Sequence, residues 1–360
     1  MNSEGVPFLF QSHQNKQYIV VVKKTFRYSN VFFYNRTLAY TAIAQLRNFE
    51  HYYEKRHKIC PVHSPMKTLQ PIPQCMDCLM SLAKSATALA GADDADMVKK
   101  AETVTREILE NARENRLSSP QLASQILREI KRLTGVSDPY KQFKAREMVL
   151  AREIFAQIKS KNLPDLRSCA SLAILGNSLD FFKNPAEALA EIPAQLNTGV
   201  SYFYDDIDRL AAFMKKKAGR VLYFSDNAGE IFFDIRLYEY IKARAQNTIL
   251  VVKGGPSIND LTRDEMQFAD LGDFFSEVAD TGSDGAGIDW DNASKEFLDR
   301  VASSDLIISK GMANFETIYP KNIAPPVFFL FKVKCEPVHR LIQAPVGSFV
   351  ALWKEGNSSG

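Results

Sequence analysis

The chain has 360 residues, 46% hydrophobic and 24% charged, with a net charge of +3, enough for one large domain or two ordinary ones with a sizeable core. No apolar run approaches the ~20 residues that span a bilayer, and the first residues lack the charged, apolar and small-residue order of a signal peptide. Five cysteines in so long a chain are no disulfide scaffold. A membrane protein and a secreted disulfide framework are excluded, and a cytoplasmic location is expected.

Residues 1–65 differ from the rest. They hold nine Lys/Arg against three Glu, four of the five histidines, twelve of the 39 aromatics and one glycine. A basic, aromatic-rich arm is one route to nucleic acid, but no nucleic-acid motif accompanies it. The segment is expected to be an appended extension, either disordered or a misassigned start, because "MKTLQPIPQCMDC" from Met66 resembles a natural beginning. The remaining chain is nearly neutral, which gives no electrostatic case for nucleic acid or membrane.

A helical domain is predicted over 66–165. Val104, Ile108 and Leu109 line one face of "ETVTREILENAREN", and Leu122, Ile126, Ile130 and Leu133 repeat the spacing in the next helix. Ser118-Ser119-Pro120 opens that helix and Gly135 closes it; Asp138-Pro139 starts a third, "PYKQFKAREMVLAREIFAQI".

After Leu163-Pro164 the texture changes to an α/β pattern, assigned to residues 166–350. Short β-rich runs occur at 220–225, 248–253, 305–309 and 327–333, and the first two bracket the helical "EIFFDIRLYEYIKARA". Continuous apolar strands alternating with helices predict a mostly parallel sheet covered on both faces. The acids of "YDDID" at 204–208 follow no apolar strand and are expected to form a solvated turn. Residues 351–360 are expected to be a frayed tail.

In such a sheet, ligands collect outside the carboxyl ends of the strands. The strand at 220–225 ends on Asp226-Asn227 at the start of a helix, and "TILVVK" runs on to Asn259-Asp260 before another. One helix cap uses one such residue; two in succession after a buried strand leave one spare. Asp226, Asn227 and Asp260, at the ends of adjacent strands, form a set of hard oxygen donors that suits Mg²⁺ or Mn²⁺ better than zinc. The strand at 305–309 ends in "SKGMANFET", where Lys310 offers a cation and Asn314 an amide to a phosphate. The strand "VFFLFKVKC" ends on Lys334-Cys335.

The motifs "GNSLDF", "DNAGEIFFD", "INDLT", "SKGMANFE" and "KVKCEPV" stand in the order seen in the damage-control phosphatase family, also described as domain of unknown function 89. "CMDC" and "DPYKQFK" are similar to the branch with an N-terminal Cys-x-x-Cys. The resemblance covers residues 66–345. It implies a three-layer α/β/α domain beside a helical domain, and a phosphatase dependent on a divalent metal (Mn, Mg, Co or Ni) acting on small phosphorylated metabolites such as sugar phosphates or damaged ones. The family's metal ligands fall on Asp226, Asn227 and Asp260. Its substrate contacts fall on Asn177, Lys310, Gly311, Asn314 and Lys334. Asn177 and Asp180 match a Gly-Asn-x-x-Asp element, and Glu230 the acid after Asp226. Asp180 or Glu230 is expected to orient or deprotonate the attacking water. An aspartyl-phosphate intermediate is disfavoured, because "DNA" at 226–228 has no second acid two positions on.

Two rivals remain. Family members have been described as protein carboxyl methyltransferases using S-adenosylmethionine, though the glycine-rich loop for that cofactor is not evident. A non-catalytic module that binds metal or phosphorylated ligands is the other. Cys75 and Cys78 extend Cys60 and His63 into C-x₂-H-x₁₁-C-x₂-C, a spacing compatible with a second metal; the preferred reading is a packed or weakly metal-binding pair opening a helix. The glycines of "TGSDGAGID" are expected to form a flexible turn bordering the site.

Overall fold

The computed structural model describes residues 8–11, 18–24, 27–33, 71–92, 94–115, 117–158, 163–178, 195–196, 199–216, 218–275 and 277–357. The chain divides into two compact units, Met1–Ser64 and Pro65–Gly360. In the first, β1 (Phe8–Gln11), β2 (Tyr18–Lys24) and β3 (Arg27–Phe33) pair in order as an antiparallel meander. Because residues from Pro65 onward form a unit of their own, a chain starting at Met66 is expected to fold and keep its activity. Soluble yield and melting temperature check this, and loss of soluble protein would show that the extension supports the second unit.

The second unit opens with α1 (Pro73–Leu89), α2 (Ala95–Asn115) and α3 (Ser119–Thr134). The start and stop of α3 follow from local chemistry. The Ser118 amide donates to Gln121 Oε1 at 2.9 Å in a capping box, and Gly135, at φ 71°, takes the left-handed conformation that closes the helix. The helices predicted together at 66–165 divide by packing. Leu79, Ala83, Leu109, Leu122, Ile126 and Ile130 join α1–α3 in one cluster. Helix α4 (Lys141–Ile158) instead sends Met148, Ile154 and Phe155 into the sheet core.

The α/β part contributes α5 (Leu166–Ser178), β4 (Tyr202–Asp205), α6 (Ile207–Met214), β5 (Ala218–Phe224), α7 (Ile231–Lys242), β6 (Ala245–Val252), α8 (Arg263–Phe268) and β7 (Val278–Asp280). It continues with α9 (Lys295–Ala302), β8 (Leu306–Lys310), α10 (Met312–Ile318), β9 (Val327–Lys332), α11 (Glu336–Ile342) and β10 (Phe349–Lys354). The sheet order is β4-β10-β9-β8-β5-β6-β7. Strands β9, β8, β5, β6 and β7 are parallel; β10 is antiparallel to β9, and β4 follows β10.

Alternation along each central strand makes the three layers. On β5, Val221 and Tyr223 face the layer of α4–α7, while Leu222 and Phe224 face α9–α11 with Phe297, Phe315 and Val338. The chain leaves β5 toward β6 and β7, then returns to place β8 and β9 on the other side. The carboxyl ends of β5 and β8 therefore bound the switch point, where the connections diverge and where open α/β sheets place their ligands.

Two expectations are corrected here. Residues of "YDDID" are no solvated turn: Tyr202–Asp205 is an edge strand parallel to β10, and Ile207 begins a helix. Asp205 holds Arg167 at 2.6 Å, and Asp206 Oδ2 accepts from the Trp353 amide at 2.8 Å. A four-residue edge strand has its alternation defined by its partner, here β10, 147 positions away. The tail, expected from 351, starts later, because Ala351–Lys354 complete β10 and Trp353 is buried. Among the described residues no helix is long and apolar enough to cross a membrane.

Candidate active site

Strand β5 ends at Phe224, and α7 starts only at Ile231 with Glu230 at its cap position. The turn between them is stitched to the loop after β6. The Ala228 amide donates to Asn259 O at 2.8 Å and the Leu261 amide to Asp226 O at 2.9 Å, so Asn227 and Asp260 form an isolated antiparallel bridge. This brings the two predicted clusters of oxygen donors together. It also removes the capping explanation, since Thr262 and Glu265 make the capping box of α8 and leave Asp260 out of it.

Asp226 and Asp260 are 8% and 6% exposed, which leaves two carboxylates with almost no water. Asp226 Oδ2 accepts from Asn177 Nδ2 at 2.9 Å, Asp260 Oδ2 lies 3.4 Å from Lys253 Nζ, and Asn227 Nδ2 donates to Glu230 Oε1 at 2.6 Å. The Oδ1 atom of each of Asp226, Asn227 and Asp260 has no hydrogen-bond donor among the described residues. Burial pushes the Asp226 carboxyl well above the usual carboxylate range; Glu230 and Asp260 add to the rise, and Lys334 and Lys310 oppose it. Asp260 is raised as well, by burial, against the pull of Lys253. Carboxylates raised by burial and by acidic neighbours are short of positive charge.

Gly311 makes the close approach of β8 feasible. At φ 83° it is in a region that suits glycine, and a Cβ there would stand 2.0 Å from Asp226 Cγ. Backbone stands here where any side chain would displace Asp226.

Several predicted substrate contacts are instead saturated by the protein. Asn177, on α5, donates to Asp226 and to both Glu230 oxygens, at 2.8 and 3.0 Å, and its Oδ1 accepts from the Lys332 amide at 3.0 Å. Asn314 donates to Ser225 O and Lys310 O at 2.9 and 2.8 Å, tying the ends of β5 and β8 together, and its Oδ1 accepts from Lys253 at 3.2 Å. Lys310 is fully buried on the α5–α7 side. Its ammonium donates to Asp234 at 2.5 Å and Ala173 O at 3.0 Å, with Glu230 at 3.5 Å. Burial depresses this lysine, but Asp234 and Glu230 outweigh that and hold it above its ordinary value. Lys334 is exposed after β9, and its charge reaches Asp226. Asp180 lies outside the described residues.

Three buried charged residues at the site were missed from sequence. Lys253, at the end of β6, donates to Gly287 O and braces Asp260. Its place at a strand's carboxyl end was the available signal. Asp234, one turn after Glu230, is pushed up to about 6 by burial against the opposing Lys310. Glu147, on α4, is pushed up to about 8 by burial, with Glu230 and Asp226 adding to the rise against donors from Asn259 and Gly229. No sequence signal separates it from the other charges of an amphipathic helix. The "DPYKQFK" motif is structural in this fold: Lys144 is buried between Asp138, at 2.9 Å, and Glu265, at 2.7 Å. In "TGSDGAGID", Arg128 reaches Asp284 and Asp289 at 2.8 Å each, so α3 pins the loop.

Among the described residues, no group of three or more His, Cys, Asp or Glu side chains is arranged to hold a metal. The candidate donors at the switch point are two carboxylates and an amide oxygen. Cys75 is buried and Cys78 exposed in the first turns of α1, both as free thiols; Cys60 and His63 fall outside the described residues. Burial raises the Cys78 thiol, with Cys75 and Glu316 as further causes.

The class these features define is an open, doubly wound α/β protein with acids and amides gathered at its switch point. The chain belongs to the damage-control phosphatase ARMT1-like family, whose domain model matches residues 72–350. It is 30% identical over 287 residues to a damage-control phosphatase of Archaeoglobus fulgidus, covering 78% of this chain and 97% of that protein. A damage-control phosphatase of Pyrococcus horikoshii is 31% identical over 284 residues, covering 78% and 96%. The crystal structure of a DUF89 family protein from P. horikoshii superposes with a TM-score of 0.72 at 29% identity, over 79% of this chain and 98% of that one.

Proposed function

We propose that this chain is a metal-dependent phosphoric monoester hydrolase acting on small phosphorylated metabolites. The observation that carries the reading is the set of three oxygens with no hydrogen-bond donor among the described residues, Oδ1 of Asp226, Asn227 and Asp260, on loops paired at the switch point among carboxylates short of positive charge. Hard oxygen donors of this kind suit Mg²⁺ or Mn²⁺. The names carried by the relatives from A. fulgidus and P. horikoshii support the phosphatase part of this reading.

A cation held by these three residues would supply Lewis-acid polarisation of a phosphate oxygen and a water of lowered pKa. The chain's own residues do the rest. Lys334, exposed at the rim, meets the charge of the transferring phosphoryl group. Glu230 has both oxygens engaged by Asn177 and Asn227, so it orients the donor set. That leaves Asp180, by its sequence motif, to take the proton of the attacking water. Lys310 acts beneath the site, tying Glu230 and Asp234 at the start of α7 to the end of β8.

Phosphate release from an aryl phosphate and a sugar-phosphate panel, with Mg²⁺, Mn²⁺, Co²⁺ or Ni²⁺ added singly, tests the proposal. Turnover is expected to require one of these cations and to vanish in excess chelator. Full activity in chelator would overturn the metal dependence. Transfer of labelled methyl groups from S-adenosylmethionine to protein carboxyls, without phosphate release, would favour the methyltransferase. Tight binding of phosphorylated ligands with no turnover would favour a binding module.

A further inference from the structure

One buried acid reaches both of the loops that carry the donor oxygens. Glu147 is 3% exposed and projects from α4, outside every strand-end motif. Its Oε2 accepts from Asn259 Nδ2 at 3.2 Å, one residue before Asp260. Its Cγ and Oε1 lie against Gly229, between Asn227 and Glu230, where a Cβ would stand 2.7 and 3.1 Å from them. Oε1 is out of solvent and makes no well-aligned hydrogen bond, although the Gly229 amide lies close enough to act on the carboxyl. A buried carboxyl oxygen without a well-aligned partner is costly unless its surroundings hold it for another reason. The surroundings here are the two turns whose pairing brings Asp226, Asn227 and Asp260 together.

We propose that Glu147 is a positioning residue for the cation, bracing the Asp226–Glu230 turn against the Ser257–Asp260 loop from the helix α4 side. The proposal rests on the metal reading above. Outer contacts that orient first ligands govern affinity strongly, and their loss commonly weakens binding about 10- to 100-fold. Its contacts with Asn259 and Gly229 act through reach and shape. Glutamine in its place can still accept from Asn259.

The test measures Mn²⁺ affinity directly, from the electron paramagnetic resonance signal of free Mn²⁺, alongside metal-free melting temperature. It compares the full-length parent with Glu147→Gln, Glu147→Ala, Asn259→Ala, the double alanine variant and Asp226→Asn. Glu147→Gln is expected to bind within about threefold of the parent. Glu147→Ala and Asn259→Ala are each expected to bind about tenfold more weakly, and the double variant no more weakly than Glu147→Ala, because the Asn259 change removes a contact that Glu147→Ala has already lost. If Glu147→Ala does not fold, Asn259→Ala against Glu147→Gln decides. Parental Mn²⁺ affinity in the alanine variants, with melting temperature alone lowered, would overturn the proposal by reducing Glu147 to packing. Parental affinity in Asp226→Asn would overturn the metal site itself and this proposal with it.

Discussion

Asp226→Asn is expected to lower turnover by on the order of a hundredfold or more, since it removes one of only two carboxylates from the proposed donor set. The same change should stabilise the metal-free protein. Asp226 is buried, and its folded-state carboxyl sits well above its ordinary 3.8. Its folded form therefore holds a proton that the unfolded chain has already released, and stability falls as pH rises from about the ordinary carboxylate value toward the folded one. Asparagine keeps an acceptor for Asn177 Nδ2 and carries no charge, so the fall should be smaller in the variant. Melting curves across pH, with and without Mn²⁺, check both halves. The parent is expected to gain a metal-induced shift that the variant lacks. Parental turnover with an intact shift would remove Asp226 from the mechanism.

The second large effect concerns stability. Lys310→Met is expected to cost about 3–5 kcal/mol, because it strips the cation from a buried network and leaves carboxylates uncompensated. Lys310 is fully buried, with Asp234 at 2.5 Å and Glu230 at 3.5 Å, and no water can take over its role. Adding Asp234→Asn should recover part of the loss, since removing both partners of a buried pair costs less than removing one. Urea unfolding of the parent, the single variant and the double variant provides the measurement. A loss below about 1 kcal/mol in Lys310→Met would show that the network contributes as little as an exposed ion pair does.

Much of the site was legible because its residues stand at strand ends, where a change from apolar to polar residues is visible in the sequence. Asp226, Asn227 and Asp260 are read that way, and the structure pairs their loops. Lys310 was legible as a strand-end cation, yet the direction of its side chain was not. The alternation of β8 turns Lys310 to the same face as Leu306 and Ile308, under α5 and α7, where Ala173 and Asp234 meet it. Asn177 and Asn314 were legible as amides near a phosphate site, and the fold employs them to bind one strand end to another.

Periodicity and strand-end chemistry therefore determined, by themselves, the mostly parallel sheet with helices on both faces, the start and stop of α3, and the set of candidate donors. These depend on residues close in sequence, where backbone preference and burial pattern act together. Tertiary structure alone decided which of the polar residues face the switch point. It turned "YDDID" into an edge strand by supplying β10, moved α4 from the helical layer to the sheet core, and set Glu147 beside Asn259, 112 positions along the chain. Contacts of that separation are fixed by which surfaces pack. A side chain's role at such a junction depends on its neighbours across the core, and no local pattern records them.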